Sequence, residues 1–302
     1  MHQVEDNRGK NMHQNSFTII SSLNKTILLT LISFILLTTG CEQQKTTPVA
    51  GGVAQLSGKL NITGSSTIAP LAAELAAIFE SKNPQLRINV QTGGSSRGLA
   101  DIRQGVSDIG MVSRKLKTEE NDIQAHLLAN DGISIIVHKD NPITSLTEEQ
   151  IKSIYLGKIK NWKSLNGVDK KITVINKAEG RSTLEVFLHF FKLKNVNIKP
   201  DVIIGDNEQG VKLVSRNRYA IAYVSIGTAE YNIKSGTTIK ALPLDGVEAT
   251  TEKLASGEFP LSRELNFVTK NKPSPLAQAF LDYSRSNEAR KTIEEFGFVP
   301  IK

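Results

Sequence analysis

The chain has 302 residues, 39% of them hydrophobic, enough for one large domain or two ordinary ones around a substantial core. Its net charge of +7 drops by one when residues 1–40 are set aside, since Arg8, Lys10 and Lys25 leave with Glu5 and Asp6. So modest and dispersed an excess suits a protein that handles anions and gives no indication of nucleic-acid binding.

The N-terminal region reads as a targeting segment. Lys25 precedes Thr26–Thr39, 14 uncharged residues rich in Leu and Ile. That length suits the apolar core of a signal peptide and falls short of the roughly 20 residues needed to span a bilayer. Leu36-Leu37-Thr38-Thr39-Gly40-Cys41 is similar to a bacterial lipoprotein signal, in which Cys41 carries the lipid and becomes the mature N-terminus. Thr38 stands where such signals place a large aliphatic residue, with Leu37 one step earlier. The long stretch before Lys25 leaves Met1 and Met12 as alternative starts. Cys41 is the single cysteine, so no intrachain disulfide can form. Residues 41–57 are polar, with Gln43, Gln44, Pro48, Gly51 and Gly52, and read as a flexible tether.

Beyond the tether, strands and helices alternate. A strand at Leu60-Asn61-Ile62 leads through Gly64-Ser65-Ser66-Thr67 into a helix. Leu71, Leu75, Ile78 and Phe79 form its apolar face, and Asn83-Pro84 ends it. A second strand, Leu86–Val90, leads through Gly93-Gly94-Ser95-Ser96-Arg97-Gly98 into a helix from Leu99. Residues 108–114 give a short strand ending in Ser113 and Arg114, residues 118–129 predict a helix, and residues 132–137 form an apolar strand. Thr147 with Gln150 is a capping box opening the next helix. The strand Lys171–Ile175 runs through Gly180-Arg181-Ser182-Thr183 into a helix with Leu184, Phe187, Leu188 and Phe191 on one face. Strands at 202–204, 220–224 and 265–268, a helix around Val211 and Val214, and closing helices at 275–284 and 287–296 complete the chain. The alternation predicts an α/β protein.

Two chemistries compete for the Ser/Gly turns. Gly94-Ser95-Ser96-Arg97-Gly98 matches G-x-S-x-G, the nucleophile elbow of serine hydrolases, with Ser96 as nucleophile. However, only two strands precede it, no His-Gly-Gly-Gly is present, and His138 beside Asp140 is the least implausible base, ahead of His126 and His189. Five scattered histidines give no metal-ligand spacing, and neither the P-loop pattern nor GxGxxG occurs, so no metal or nucleotide cofactor is expected. A single Ser/Thr turn at a helix start is accounted for by capping. Three of them, two with an arginine, point instead to a shared oxyanion site, where free N–H groups, hydroxyls and helix dipoles favour negative charge.

Residues 58–302 resemble the substrate-binding protein of phosphate ABC transporters, the PstS family. The matching pieces are Gly64-Ser65-Ser66-Thr67 with Pro70, Gly94-Ser95-Ser96, Asp108-Ile109-Gly110, residues 154–162, Gly180 to Thr183, Ala220–Val224 and Pro260-Leu261-Ser262-Arg263. The resemblance implies a two-lobed, type II periplasmic-binding-protein-like α/β fold with the ligand cleft between lobes. One lobe would comprise residues 58–136 and 243–302, the other residues 137–242, with crossings near Val137 and Leu242. It implies a non-enzyme that binds inorganic phosphate and passes it to an ABC permease, as a monomer held at the cell envelope by lipid on Cys41. Ser66, Thr67, Ser95 and Ser113 would come from the first lobe and Arg181, Ser182 and Thr183 from the second; Ser96 and Arg97 join them from the turn Gly93–Gly98.

Two departures qualify that set. The family's third turn reads Ser-Gly-Thr with an arginine a few residues earlier, whereas this chain has Arg181-Ser182-Thr183 and places Lys177 at the expected arginine. The cation is thus Arg181, Lys177 or Arg97, the arginines being better suited to a forked phosphate contact. Many members use a carboxylate to accept the phosphate proton; Ser113 stands at that position, with Asp108 and Glu179 as other acceptors. The alternatives are a receptor for sulfate, molybdate or tungstate, a receptor feeding a signalling partner, and a hydrolase using Ser96.

Overall fold

The computed structural model describes residues 56–270 and 272–301. The leader, Cys41 and nearly all of the tether lie outside the described residues. From Gly58 the chain builds β1 (Gly58–Gly64), α1 (Ala69–Lys82), β2 (Leu86–Thr92), α2 (Ser95–Arg103) and β3 (Ile109–Val112). The two strand–helix–strand crossings leave β1, β2 and β3 parallel, with β1 in the middle, paired to both β2 and β3.

The next element departs from expectation. Of the helix expected at 118–129, a single 3-10 turn forms at Thr118–Glu120; residues from Gln124 belong to β4 (Gln124–His138), one strand of 15 residues. Non-local pairing explains the difference. The first part of β4 lies antiparallel to β9 (Ser262–Thr269), with His126 opposite Phe267 and Ala129 opposite Leu265. These long-range contacts override a local preference for helix.

The second lobe contains α3 (Glu148–Tyr155), β5 (Thr173–Lys177), α4 (Ser182–Phe190), β6 (Val202–Ile204), α5 (Asn207–Arg216), β7 (Ala220–Ser225), α6 (Ile226–Lys234), β8 (Ile239–Leu242) and α7 (Thr251–Ala255). After β9, the chain closes the first lobe with α8 (Pro275–Ser284), α9 (Asn287–Glu295) and β10 (Val299–Pro300). The strand order is β2-β1-β3-β9-β4-β7-β5-β6, with β8 and β10 also paired to β4.

β4 is the shared strand. Gln124 to Gly132 pair with β9 and Ile133 to Val137 pair with β7, so the partner changes between Gly132 and Ile133. The return crossing falls between Leu261, whose carbonyl accepts the Ile133 N–H, and Ser262, which opens β9. These points differ from the crossings expected near Val137 and Leu242. Leu244, Ala249, Phe259 and Leu261 pack into the second lobe's core with Trp162, Phe187 and Tyr223, which holds residues 243–261 with that lobe. Within β4, Ile133, Ile135 and Val137 face this core while Ile136 faces a separate cluster on the other side of the sheet. The first lobe packs β1, β3 and β9 against α1, α8 and α9.

Glycines set the approach of α2 to the sheet. Gly64 ends β1 with φ of +133°, and a Cβ there would lie 2.4 Å from the Met111 carbonyl oxygen. Gly64→Ala is therefore expected to cost about 2 kcal/mol or more, combining backbone strain with overpacking. Urea unfolding of the two proteins measures this; an unchanged midpoint would show that the turn relaxes freely.

Candidate functional site

Among the described residues, α-helices begin in two ways. In α3, α5, α6, α7, α8 and α9 a side chain accepts a first-turn N–H: Thr147, Asp206, Ser225, Thr250, Ser274 and Ser286. In α1, α2 and α4 the cap positions, Ile68, Gly94 and Arg181, supply no such acceptor. These three are the helices that follow the Ser/Gly/Thr turns. Their hydroxyls are not spent on capping in the ordinary way, and first-turn N–H groups seek other partners. The Ser182 hydroxyl is buried with no hydrogen-bond partner. A buried hydroxyl without a partner is costly, and an anion would satisfy it.

The lobes bring these turns together. The Ser96 N–H donates to the Gly180 carbonyl at 3.2 Å across the cleft. A Cβ on Gly94 would lie 2.7 Å from that same oxygen, so the approach requires glycine. In the first lobe, Ser65 Oγ donates to Ser113 Oγ at 2.9 Å, and the Ser113 N–H donates to Ser95 Oγ at 3.3 Å. Thr67, Ser95, Ser113, Ser182 and Thr183 are all buried.

Arg263 joins the two sets. It is the second residue of β9 and stands directly opposite Asp131 in the β4–β9 ladder. Its Nε and Nη2 donate to Asp131 Oδ2 at 2.9 and 2.7 Å, with the two side chains 1% and 0% exposed. Asp131 Oδ1 accepts from Ser225 Oγ at 3.0 Å. The guanidinium then donates from Nη1 to Thr183 Oγ1 at 2.9 Å and from Nη2 to Thr67 Oγ1 at 3.2 Å, one hydroxyl from each lobe.

Lys177, at the end of β5, is also buried. Its Nζ donates to the Asp206 carbonyl at 2.7 Å and to Asn207 Oδ1 at 3.0 Å. Burial pushes its ammonium down to about 7; Asp206 and Glu208 oppose this, while Arg263 and Arg181 add to it. Three cations thus gather where the buried carboxylate, Asp131, is already committed to one of them. Such a region favours an anion.

The other candidates lie elsewhere. Arg97 is exposed on α2, with Nε 3.2 Å from Asp101 Oδ2 and its guanidinium towards the Thr92 carbonyl, outside the buried group. The Ser96 side chain is exposed. Arg181 is half-buried and lies along Gly205, where a Cβ would sit 3.2 Å from Nη2. Ser66 is half-buried in the turn before α1. Asp108 accepts the Asn61 N–H at 2.8 Å and Glu179 accepts from Asn195 at 3.0 Å, so both proposed proton acceptors are engaged structurally. No histidine contacts Ser96 among the described residues: His126 bonds Thr269, His138 accepts the Asp140 N–H, and His189 is exposed on α4.

Arg263, Asp131 and Asn207 were not distinguished by sequence. Arg263 lies within a matched segment, but its role depends on register with a residue 132 positions away. A second cross-lobe contact lies beside it. Arg114, forked on Glu120 at 2.7 and 2.8 Å, and Lys117 each reach Glu185 of α4 at 3.0 Å. Arg114, Lys117 and Glu185 line a 610 Å³ groove that also touches Arg263.

A family model described as a PBP superfamily domain matches residues 48–288. The phosphate-binding protein PstS of Bacillus subtilis is 30% identical over 290 residues, covering 92% of this chain and 94% of that protein. PstS of Pseudomonas aeruginosa is 29% identical, covering 82% and 84% respectively. The crystal structure of a putative phosphate ABC transporter substrate-binding protein with bound phosphate, from Clostridium perfringens, superposes with a TM-score of 0.76. It is 32% identical, and the match covers 81% of this chain and all of that one. An ABC-type phosphate transport receptor from Vibrio cholerae gives a TM-score of 0.64 at 29% identity, covering 81% of this chain and 100% of that one.

The buried lysine makes stability depend on pH. Between about pH 7 and pH 10.5 the unfolded chain still holds the Lys177 proton that the folded chain has released. Unfolding takes up that proton, so stability of the ligand-free protein gains from each rise in pH across this window. Lys177→Met is expected to lack this contribution. Urea melts across the window compare the two; parallel pH profiles would rule out a depressed Lys177.

Proposed function

The chain belongs to the PstS family of phosphate-binding proteins, and on that premise we propose the residues by which it holds its ligand. As a family member it is a two-lobed, type II binding protein that binds inorganic phosphate for import by an ABC transporter. The proposed ligands are Thr67, Ser95 and Ser113 of the first lobe, Ser182 and Thr183 of the second, and Arg263 between them. The observation that carries this assignment is the Arg263 guanidinium, anchored on Asp131 and reaching one threonine hydroxyl from each lobe. The N–H groups of Ser182 and Thr183, at the start of α4, add to this shell of donors.

Such a shell suits a dehydrated dianion. Hydroxyl and N–H donors satisfy its oxygens, and a forked arginine adds a strong, directional charge-assisted contact. On this reading Arg263, rather than Arg97, supplies the cation, with Lys177 and Arg181 adding positive field from nearby. Neither the receptor reading for another oxyanion nor hydrolysis at Ser96 is favoured. We further propose that the protein works as a monomer, tethered at the cell envelope by lipid on Cys41, and that its lobes dock on an ABC permease.

Titration calorimetry tests this directly. Phosphate should bind with 1:1 stoichiometry, undisturbed by a large excess of sulfate; equal competition by sulfate would sink phosphate selectivity. Ser182→Ala is expected to weaken phosphate binding about tenfold, the value of one hydrogen bond to a charged group. Arg263→Lys should weaken it about tenfold or more, because a lysine cannot fork between Asp131 and two hydroxyls. Wild-type affinity in either variant would remove that residue from the ligand set.

A further inference from the structure

Lys177 touches none of the proposed ligands, yet it is buried beside them. Its Nζ faces Asn207 Oδ1 at 3.0 Å. An ammonium has donors only, so it holds the amide oxygen towards itself and turns Asn207 Nδ2 the other way. That nitrogen donates to Thr67 Oγ1 at 3.2 Å and lies 3.4 Å from Thr228 Oγ1. Asn207 and Thr228 belong to the second lobe and Thr67 to the first, so the Asn207–Thr67 bond exists only with the lobes together.

Thr67 Oγ1 also accepts from Arg263 Nη2 at 3.2 Å. A hydroxyl has two acceptor positions and one proton. With both positions filled by N–H donors from the second lobe and from Arg263, the remaining O–H must donate outward. On the reading that the site holds phosphate, its acceptor is a phosphate oxygen.

We propose that Lys177 is a positioning residue for phosphate capture: by fixing the Asn207 amide it fills the last acceptor position on Thr67 and commits that hydroxyl to donate to the anion as the lobes close. The charged groups facing Lys177 are Asp206, which caps α5, Glu208 of α5, Arg181 at the start of α4 and Arg263 of β9. Its main-chain N–H is taken by Tyr223 Oη of β7 at 3.3 Å. A dianion arriving beside these groups favours the charged lysine, so binding is accompanied by proton uptake at Lys177 above about pH 7.

Calorimetry with inorganic phosphate on wild type, Lys177→Met, Asn207→Ala and the double variant tests the chain of contacts. Each single change should weaken binding about tenfold, and the double variant should be no weaker than Asn207→Ala alone. Losses that multiply in the double variant, or singles that bind as wild type, overturn the proposal. Asn207→Asp, which accepts from Lys177 but cannot donate to Thr67, should lose as much as Asn207→Ala; wild-type affinity there also overturns it, even if Lys177→Met does not fold. The wild-type affinity should fall more steeply than that of Lys177→Met as pH rises above about 7, phosphate's own titration being common to both. A wild type that binds no phosphate refutes the phosphate reading itself; a wild type that binds beside unaffected variants refutes only the role of Lys177.

Discussion

The pairing of Arg263 with Asp131 is the constraint around which the cleft is arranged. Burying two opposite charges costs several kcal/mol per ion, and mutual attraction offsets this only when the remaining donors and acceptors are also satisfied. Here they are. Asp131 has Ser225 on its second oxygen, and the guanidinium reaches Thr183 and Thr67 with what Asp131 leaves free. The pair is cross-strand, in register between β4 and β9, so the sheet itself sets its geometry. Stability alone gives little reason for such a pair, since a well-packed apolar replacement would serve as well or better. A fixed cation beside hydroxyls from both lobes gives a functional reason.

Much of this was legible in the chain, and the failures have a common cause. The turns at Gly64–Thr67, Gly94–Arg97 and Gly180–Thr183 were visible because each is local: glycine, hydroxyl, helix start. The apolar faces of α1 and α4 were visible for the same reason. The expected helix at 118–129 failed because β4 is specified by β9, far along the sequence. Arg97 attracted attention as an arginine in a serine turn, yet at that point of α2 its side chain meets Asp101, one turn on, at the exposed surface. Arg263 lies within the matched segment Pro260–Arg263, yet escaped assignment because its contacts are remote in sequence. Its partner stands opposite across two strands and its hydroxyl contacts lie in separate lobes.

The cleft is also economical in charge. Its hydroxyls and helix starts are neutral donors, and the carboxylate beside them, Asp131, is already paired with Arg263. On the proposed assignment, an anion is recognised by hydrogen-bond geometry as much as by charge. The same assignment explains why capping differs between helices. Where Thr147, Asp206 or Ser274 closes a helix start, the N–H groups are used up locally. At α1, α2 and α4 that local solution is withheld.

The position of the pair along β4 matters for motion. Asp131 and Arg263 face each other one residue before the strand changes partners at Gly132. In a rotation, displacement grows with distance from the axis. Groups beside the pivot would hardly travel, while the turns carrying Ser95 and Ser182 would sweep through the arc. The cation would then stay in place whether the lobes stand apart or together, projecting the same long-range pull on an approaching anion. Attraction would be a permanent property of the axle, and grip a property of the jaws.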